Sequence, residues 1–435
     1  MLNETQQKAV ELTEGPVRII AGAGTGKTAT LVARIVHLIE SGKAQARDIV
    51  ALTFTHKAAH ELNERLRAQG LPRIFVTTFH GFAASVLRRA SDETQAVGAG
   101  AEAGRRAADF LILTQEQQEE TLRDLLYSQE RDELANVITD FNRVREAAAG
   151  GAAWPVLLSS VSIERLGELW QSYRKVLEAK NAVDFTGLLT GVLELWKASP
   201  EVLADWQSRC RYVMVDEYQD VSAIQVEMLK QLCGGAAATA GQAAPNVCVV
   251  GDPDQTIYSW RGADPRALFD FETLFPGTQT ITLTQNYRNP ARILTPAEQL
   301  IAHNPDRFPK TLVAMSGHGQ ASPPAALPFH LWEARDEWQM HEMILYLLEQ
   351  FLGSHDHMAR ADILDAGRGF GPEDKEIKNR DFFALNDIAV LYRTQAEGRF
   401  LAAQLSKHGY PFQMSVPTEF WQRKEIRKFV EKLNA

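Results

Sequence analysis

The stretch AGAGTGKT (residues 21–28) lies between VRIIA (17–21), a short apolar run, and KTATLVARIVHLIE (27–40), whose apolar residues recur at helical spacing. A glycine-rich turn that leaves a strand and opens a helix admits few folds. Small residues let backbone N–H groups approach phosphate oxygens, and the helix N-terminus adds a favourable dipole. Ala21, Gly22, Ala23, Gly24, Thr25 and Gly26 form the cradle, Lys27 reaches the β- and γ-phosphates, and Thr28 ligates Mg²⁺. The strict pattern has Gly where this chain has Ala21, and Gly22 and Gly24 supply the freedom. The competing reading is a glycine-rich turn with an incidental lysine.

The surrounding pattern extends this into a parallel sheet with crossover helices. DIVALTF (48–54) reads as a strand before the helical HKAAHELNERL, and IFVTTFHGFAASVLRR (74–89) as a third strand and helix. Asn3 is a candidate N-cap for a short first helix. From about 90 to 205 the signals are helical, interrupted by VGAGAEAG and AAAGGAAWP. Strands return at YVMVDE (212–217), NVCVVGD (246–252) and QTITLTQN (279–286), with the low-complexity GGAAATAGQAAP (234–245) between two of them. PFHLWEA and DIAVLYR (387–393) read as strands of a further α/β unit, and EIRKFVEKLNA as a helix.

A chain of 435 residues exceeds one core, so two to four domains are expected. The net charge of −9 argues against a generally basic nucleic-acid binder, yet residues 1–90 carry 12 Lys/Arg against 7 Asp/Glu. No segment reads as a signal peptide or is apolar enough to span a bilayer, so no membrane and a cytoplasmic location are expected. Cys210, Cys233 and Cys248 lack metal-ligand spacing and fit a reducing compartment, with Cys248 in the core. His355 and His357 read as a solvated loop, and His56 and His80 as groove-lining or packing residues.

Two further strand ends carry chemistry. In VMVDEYQD (213–220), Asp216 is placed to hold Mg²⁺ and Glu217 to orient or deprotonate the attacking water, the alternative being a solvated acidic turn. In VVGDPDQTIYSWRG (249–262), Gln255 is placed to meet the γ-phosphate beside Glu217. Tyr258 and Trp260, next to Arg261, read as a platform on which single-stranded bases stack, the alternative being core aromatics. No guanine-reading segment is visible, so ATP is the expected nucleotide.

These motifs, in this order, resemble the UvrD/Rep/PcrA group of superfamily 1 DNA helicases. LNETQQKAV resembles the Q motif, which implies that Gln6 reads the adenine edge. ALTFTHKAAHEL and VTTFHGF resemble motifs Ia and Ib, implying single-stranded DNA contacts at Phe54, Thr55, His56, Thr78, Phe79 and His80. VDEYQD resembles motif II, with Tyr218 where Phe is more usual, and VGDPDQTIYSWRGAD resembles motif III. LTQNYRN (283–289) resembles motif IV, implying that Tyr287 stacks on adenine and Arg288 points at the γ-phosphate. VDFTGLL (183–189) and IAVLYRTQAEGRFLAAQLSKHGYPF resemble further family segments. Ala29 stands where the family often has an adenine-sandwiching arginine, leaving stacking to Tyr287.

The resemblance implies a RecA-like P-loop α/β fold with a first motor domain at 1–88 and 206–288, a helical insertion at 89–205, and an incomplete second α/β motor domain at 289–435. It implies ATP and Mg²⁺ as cofactors, single-stranded DNA and 3′-tailed duplex DNA as partners together with repair or replication proteins, and 3′ to 5′ movement. Motifs V and VI are not found, so the chain is expected to be the N-terminal part of such a helicase. The alternatives are a non-motor ATP and single-stranded DNA binding module that needs a partner chain, and the motor half of a helicase–nuclease.

Overall fold

The computed structural model describes residues 2–97, 109–127, 130, 133–150, 161–234, 246–257, 263–264, 266–304, 307–315, 332–352 and 383–414. It divides into two units, residues 1–318 and 319–435. Most of VGAGAEAG and GGAAATAGQAAP, part of AAAGGAAWP, His355, His357 and EIRKFVEKLNA lie outside the described residues.

The first unit opens with α1 (Glu4–Glu11), where Asn3 and Gln6 cap each other reciprocally. Then come β1 (Val17–Ala21), α2 (Lys27–Glu40), β2 (Ile49–Thr53), α3 (His56–Ala68), β3 (Phe75–Thr78) and α4 (Phe79–Val97). A mainly helical stretch follows: β4 (Leu111–Ile112), α5 (Gln115–Leu125), α6 (Leu134–Gly150), α7 (Ile163–Ala179), β5 (Ala182–Val183), α8 (Phe185–Ala198) and α9 (Pro200–Arg209). The chain returns through β6 (Tyr212–Val215), α10 (Ala223–Cys233), β7 (Asn246–Gly251), α11 (Phe271–Leu274), β8 (Gln279–Leu283), β9 (Gln285–Asn286), α12 (Ala291–Ile301) and β10 (Val313–Ala314).

Six strands form one parallel sheet in the order β3-β2-β6-β7-β1-β8. Its inner strands are mostly apolar because both faces are covered, and residue parity decides which face each side chain joins. Val17, Ile19, Tyr212, Met214, Cys248 and Val250 pack on one face with Leu31 and Ile35 of α2 and Leu62 of α3. Ile20, Val213, Val215, Val247 and Val249 pack on the other with α4, α8, α10 and α11. Cys248 is a core residue, as its strand pattern indicates. Arg18 is a cation on a buried strand, held by the carbonyls of Leu268 (3.0 Å) and Phe269 (3.2 Å) and by Thr280 Oγ1 (2.9 Å).

A separate core from α5, α6 and α7 holds Leu122, Phe141, Leu169 and Tyr173. At its edge Asp184 is fully buried and accepts from Arg145 Nη1 (2.6 Å) and Nη2 (2.9 Å), Gln118 Nε2 (2.9 Å), Tyr173 Oη (3.0 Å) and Gly187 N (2.6 Å). The same carboxylate caps α8, which belongs to the sheet's own apolar cluster. The two-residue strands β4 and β5 pair in parallel inside a stretch expected to be mostly helical with no convincing strand, since two residues carry no periodicity to read. QTITLTQN likewise divides into β8 and β9, and β9 pairs with β10 instead of the main sheet.

The described part of the second unit contains α13 (Glu337–Leu352) and α14 (Gln395–Lys407), joined through Leu345, Leu348, Leu401 and Leu405. DIAVLYR is not a strand. Ile388 and Val390 alternate onto this apolar cluster while Leu391 is 95% exposed, but no described segment pairs with it. Residues 328–331 of PFHLWEA lie outside the described residues, and 332–334 have no regular structure. Among the described residues no helix is long and apolar enough to cross a membrane.

Tyr218 is fully buried against Phe271 (ring centroids 5.5 Å apart), and its Oη has no hydrogen-bond partner among the described residues. An unsatisfied buried hydroxyl is costly, so Tyr218→Phe is expected to raise the unfolding free energy by about 1 kcal/mol. Denaturant titration checks this, and a clear loss of stability would contradict it.

Candidate nucleotide and nucleic-acid site

In a parallel sheet with both faces covered, the carboxyl ends of the strands are where polar side chains gather around a ligand. β1 delivers the glycine-rich loop there, between β7 and β8. Gly24 and Gly26 have φ of +69° and +84°. A Cβ on Gly24 would lie 2.6 Å from Arg288 Cβ, and one on Gly26 would lie 2.6 Å from Gln6 Nε2. Both positions therefore require glycine for backbone conformation and for close approach.

The loop is gripped from several sides. Gln6, buried, donates Nε2 to the Thr25 carbonyl (2.9 Å) while its Oε1 accepts from Asn3 N (2.9 Å). Asn286, fully buried, donates Nδ2 to the Ala23 carbonyl (2.5 Å), and Tyr287 N donates to the Gly24 carbonyl (2.9 Å). Thr25 spends its hydroxyl on the Gly22 carbonyl (2.8 Å). Ala21 and Gly22 are buried, and Thr28 is partly exposed on the first turn of α2. That helix starts at Gly26 without a side-chain cap, so its first N–H groups are left to a ligand or water.

Beside the loop lies a groove of about 830 Å³ lined by Gln6, Val10, Ala29, Val32, Arg65 and Tyr287. Its apolar floor with a few polar groups suits a flat heterocycle. Tyr287 is held at its rim, receiving a hydrogen bond from Asn3 Nδ2 (2.8 Å) and donating to Gln285 Oε1 (2.7 Å). The backbone N–H of Arg288 donates to Asn286 Oδ1 (2.9 Å), and the Arg288 side chain is exposed. Gln6, Tyr287 and the loop thus meet as their motifs imply, although the Gln6 amide is turned to the loop backbone.

The ends of β6 and β7 close on Lys27. Its Nζ donates to Glu217 Oε2 (2.7 Å) and to Gln255 Oε1 (3.4 Å). Gln219 Nε2 donates to the same Glu217 oxygen (2.9 Å), and Gln219 Oε1 accepts from Asp252 N (3.0 Å). Asp252 Oδ2 accepts from Gln255 Nε2 (2.7 Å), which completes a ring through three strand ends. Glu217 has φ +51°, rare for a residue with a side chain, and such conformations persist where the surroundings enforce them. Burial, then the neighbouring Glu217 charge, pushes the Asp216 carboxyl up to about 6.

Thr28 and Asp216 fit a magnesium ion, because a carboxylate crowded by a second acid in a buried place gains from a nearby divalent charge. Among the described residues no group of three or more His, Cys, Asp or Glu side chains forms a metal cage. Magnesium at a nucleotide usually takes only one or two protein ligands.

The expected DNA-contact residues occupy the other half of the same edge, on β2 and β3. Thr55 caps α3, accepting from Ala58 N (3.1 Å), and His56 is exposed at the start of that helix. Phe54 is partly exposed at the end of β2. Thr78 Oγ1 accepts from Gly81 N (3.1 Å) at the start of α4. Phe79 is 2% exposed and packs in the core, which corrects the expectation of a side-chain contact with DNA there. Tyr258, Trp260 and Arg261 lie outside the described residues. Gln219, Asp252 and Asn286 lie inside the segments that resemble motifs II, III and IV, but the sequence reading gave them no role; their positions in the motifs are the signal that could have found them.

His80 packs edge-on against Phe185 (ring centroids 5.5 Å apart). Burial, then the nearby His56, pulls its imidazole down to about 4. The unfolded chain takes the proton first as pH falls, so the stability of neutral His80 is fully present above about pH 6.5 and is lost towards pH 4, roughly 3 kcal/mol in all. His80→Asn is expected to remove that part of the acid sensitivity. Unfolding curves at pH 7.5 and 4.5 check it; equal losses in both proteins would contradict the assignment.

Comparison with known proteins agrees with the edge just described. Residues 2–276 match the UvrD/REP helicase N-terminal domain, and residues 281–434 match the UvrD-like helicase C-terminal domain. The chain is 32% identical to the ATP-dependent DNA helicase PcrA of Leuconostoc citreum, over 98% of this chain and 51% of that protein. It is 30% identical to the protein of the same name from Bacillus subtilis, over 98% of this chain and 52% of that protein. The chain spans about half the length of the curated relatives it matches. The match of residues 281–434 to the C-terminal domain corrects the expectation that the chain is the N-terminal part alone. With the N-terminal domain match running over five of the six strands of the sheet and the helical stretch between them, and the C-terminal domain match following from residue 281, this chain belongs to the UvrD/REP helicase family.

Proposed function

We propose that this chain binds and hydrolyses ATP with Mg²⁺ at the carboxyl edge of its parallel sheet, and couples that reaction to 3′ to 5′ movement on single-stranded DNA and to opening of 3′-tailed duplexes. Repair or replication proteins as partners, and a cytoplasmic location, belong to the same proposal. The observation that supports it best is the ring from Lys27 through Glu217, Gln219, Asp252 and Gln255, which ties a phosphate-loop cation to two strand-end motifs.

Lys27 is paired with Glu217. A γ-phosphate competes for that ammonium, and Glu217 is then released to accept a proton from water. Gln255, next to both, senses whether the phosphate is present. Thr28 and Asp216 would hold a magnesium ion, which would supply positive charge to the phosphate oxygens. Tyr287 and the groove floor hold the base, and Arg288 stabilises charge at the γ-phosphate. Phe54, Thr55, His56, Thr78 and His80 form the DNA half of the edge; Tyr258, Trp260 and Arg261 are proposed as DNA contacts from their motif alone.

Lys27→Ala is expected to weaken binding of a fluorescent ATP analogue clearly. Glu217→Gln is expected to keep the binding and to lower DNA-stimulated turnover by about 100-fold or more, the usual worth of a positioned base. Steady-state phosphate release checks both. Unaltered affinity in the first variant, or wild-type turnover in the second, would overturn the reading.

A further inference from the structure

After α12 the chain folds back over the edge of the sheet within the first unit. Phe308 stacks on Phe269 with ring centroids 4.6 Å apart and planes 5° from parallel. Arg307 pairs with Asp254 through two hydrogen bonds, Nε to Oδ1 (2.9 Å) and Nη2 to Oδ2 (2.8 Å). Lys310 Nζ contacts Asp252 Oδ1 and lies 2.7 Å from Asp254 Oδ2. The Lys310 and Asp252 side chains are each 4% exposed. Leu312 then covers Gly22 so closely that a Cβ there would lie 2.6 Å from Leu312 Cδ2.

A buried lysine is costly unless it is paired. Here it faces two carboxylates of one turn, which would otherwise repel each other. Burial opposes ionisation of Asp254, but hydrogen bonds from Arg307 and Lys310 outweigh it and hold that carboxyl below its usual range. With Oδ1 of Asp252 taken by Lys310, Oδ2 is left for the Gln255 amide, which fixes the direction of Gln255 Oε1 towards Lys27.

We propose that Lys310 is a positioning residue for the nucleotide site: by clamping Asp252 and Asp254 it aims Gln255 at the γ-phosphate, so that the segment leading out of the first unit sets how well ATP is told from ADP. This rests on the nucleotide reading above. Lys310 does not reach Lys27 or Gln255 itself; it contacts Asp252 and acts through the hydrogen bond from Gln255 to that carboxylate. A lysine that only stabilised the fold would leave the preference for ATP over ADP unaltered once the protein is folded.

The test measures affinity of the 435-residue chain for Mg²⁺-ADP and for a non-hydrolysable Mg²⁺-ATP analogue, with thermal melting as a check on folding. Lys310→Met is expected to keep its ADP affinity and to lose about ten-fold of its preference for the ATP analogue, the worth of one hydrogen bond to a charged group. Gln255→Ala is expected to lose the same preference, and adding Lys310→Met to it to lose nothing more. An unaltered preference in Lys310→Met, or a full further loss in the double variant, overturns the proposal. If Lys310→Met melts below the assay temperature, Lys310→Arg and Arg307→Met replace it. The first is expected to keep the preference and the second to reduce it, and an unaltered preference in Arg307→Met overturns the proposal. A wild-type chain that binds neither nucleotide refutes the nucleotide reading and removes this one with it. A wild type that binds both, beside a Lys310→Met variant of equal preference, refutes this proposal alone.

Discussion

The ion pair between Lys27 and Glu217, 2.7 Å across the ends of β1 and β6, is the interaction around which the first unit is arranged. Two charges at the rim of a dry sheet are stable only if each has a partner, and here each is the other's. In the proposed reaction a phosphate group competes for the lysine and leaves the glutamate free. The strained backbone at Glu217 and the surrounding amides of Gln219 and Gln255 keep this exchange in one geometry.

The order of the strands gives the exchange its reach. Along the carboxyl edge, β8 and β1 carry the nucleotide half, β7 and β6 the acids and amides, and β2 and β3 the half assigned to DNA. The Lys27 ring lies on the middle strands. Gln219 and Asp252 lie between the phosphate loop and the half assigned to DNA. Chain order alone does not imply this, because β1 and β2 follow one another in sequence yet are separated in the sheet by β6 and β7.

What the sequence made legible was local. A strand, a glycine turn and a helix read directly as a phosphate loop, and carboxylates at the ends of apolar runs read as site residues. The parallel sheet followed from alternating strand and helix patterns. Interactions between distant segments were not legible: Asn286 reaches the Ala23 carbonyl across 263 residues, and Lys310 reaches Asp252 across 58. An asparagine or a lysine in a loop has no pattern that reveals such a partner. DIAVLYR shows the converse limit, since its alternation separates partly buried Ile388 and Val390 from exposed Leu391, but a strand also needs a neighbour. Phe79 failed as a side-chain contact because a motif fixes where the backbone lies and leaves open which way the ring turns.

If nucleotide and DNA share one edge through the ring, their affinities must depend on each other, and the dependence must pass through Gln219. The most direct measurement is the affinity for a fluorescent single-stranded oligonucleotide with and without a non-hydrolysable ATP analogue, in the wild type and in Gln219→Ala. The account predicts that the analogue alters DNA affinity by about five-fold or more in the wild type. In the variant the change should fall below about two-fold while each ligand still binds alone. Equal coupling in the two proteins, or none in a wild type that binds both ligands, would contradict it.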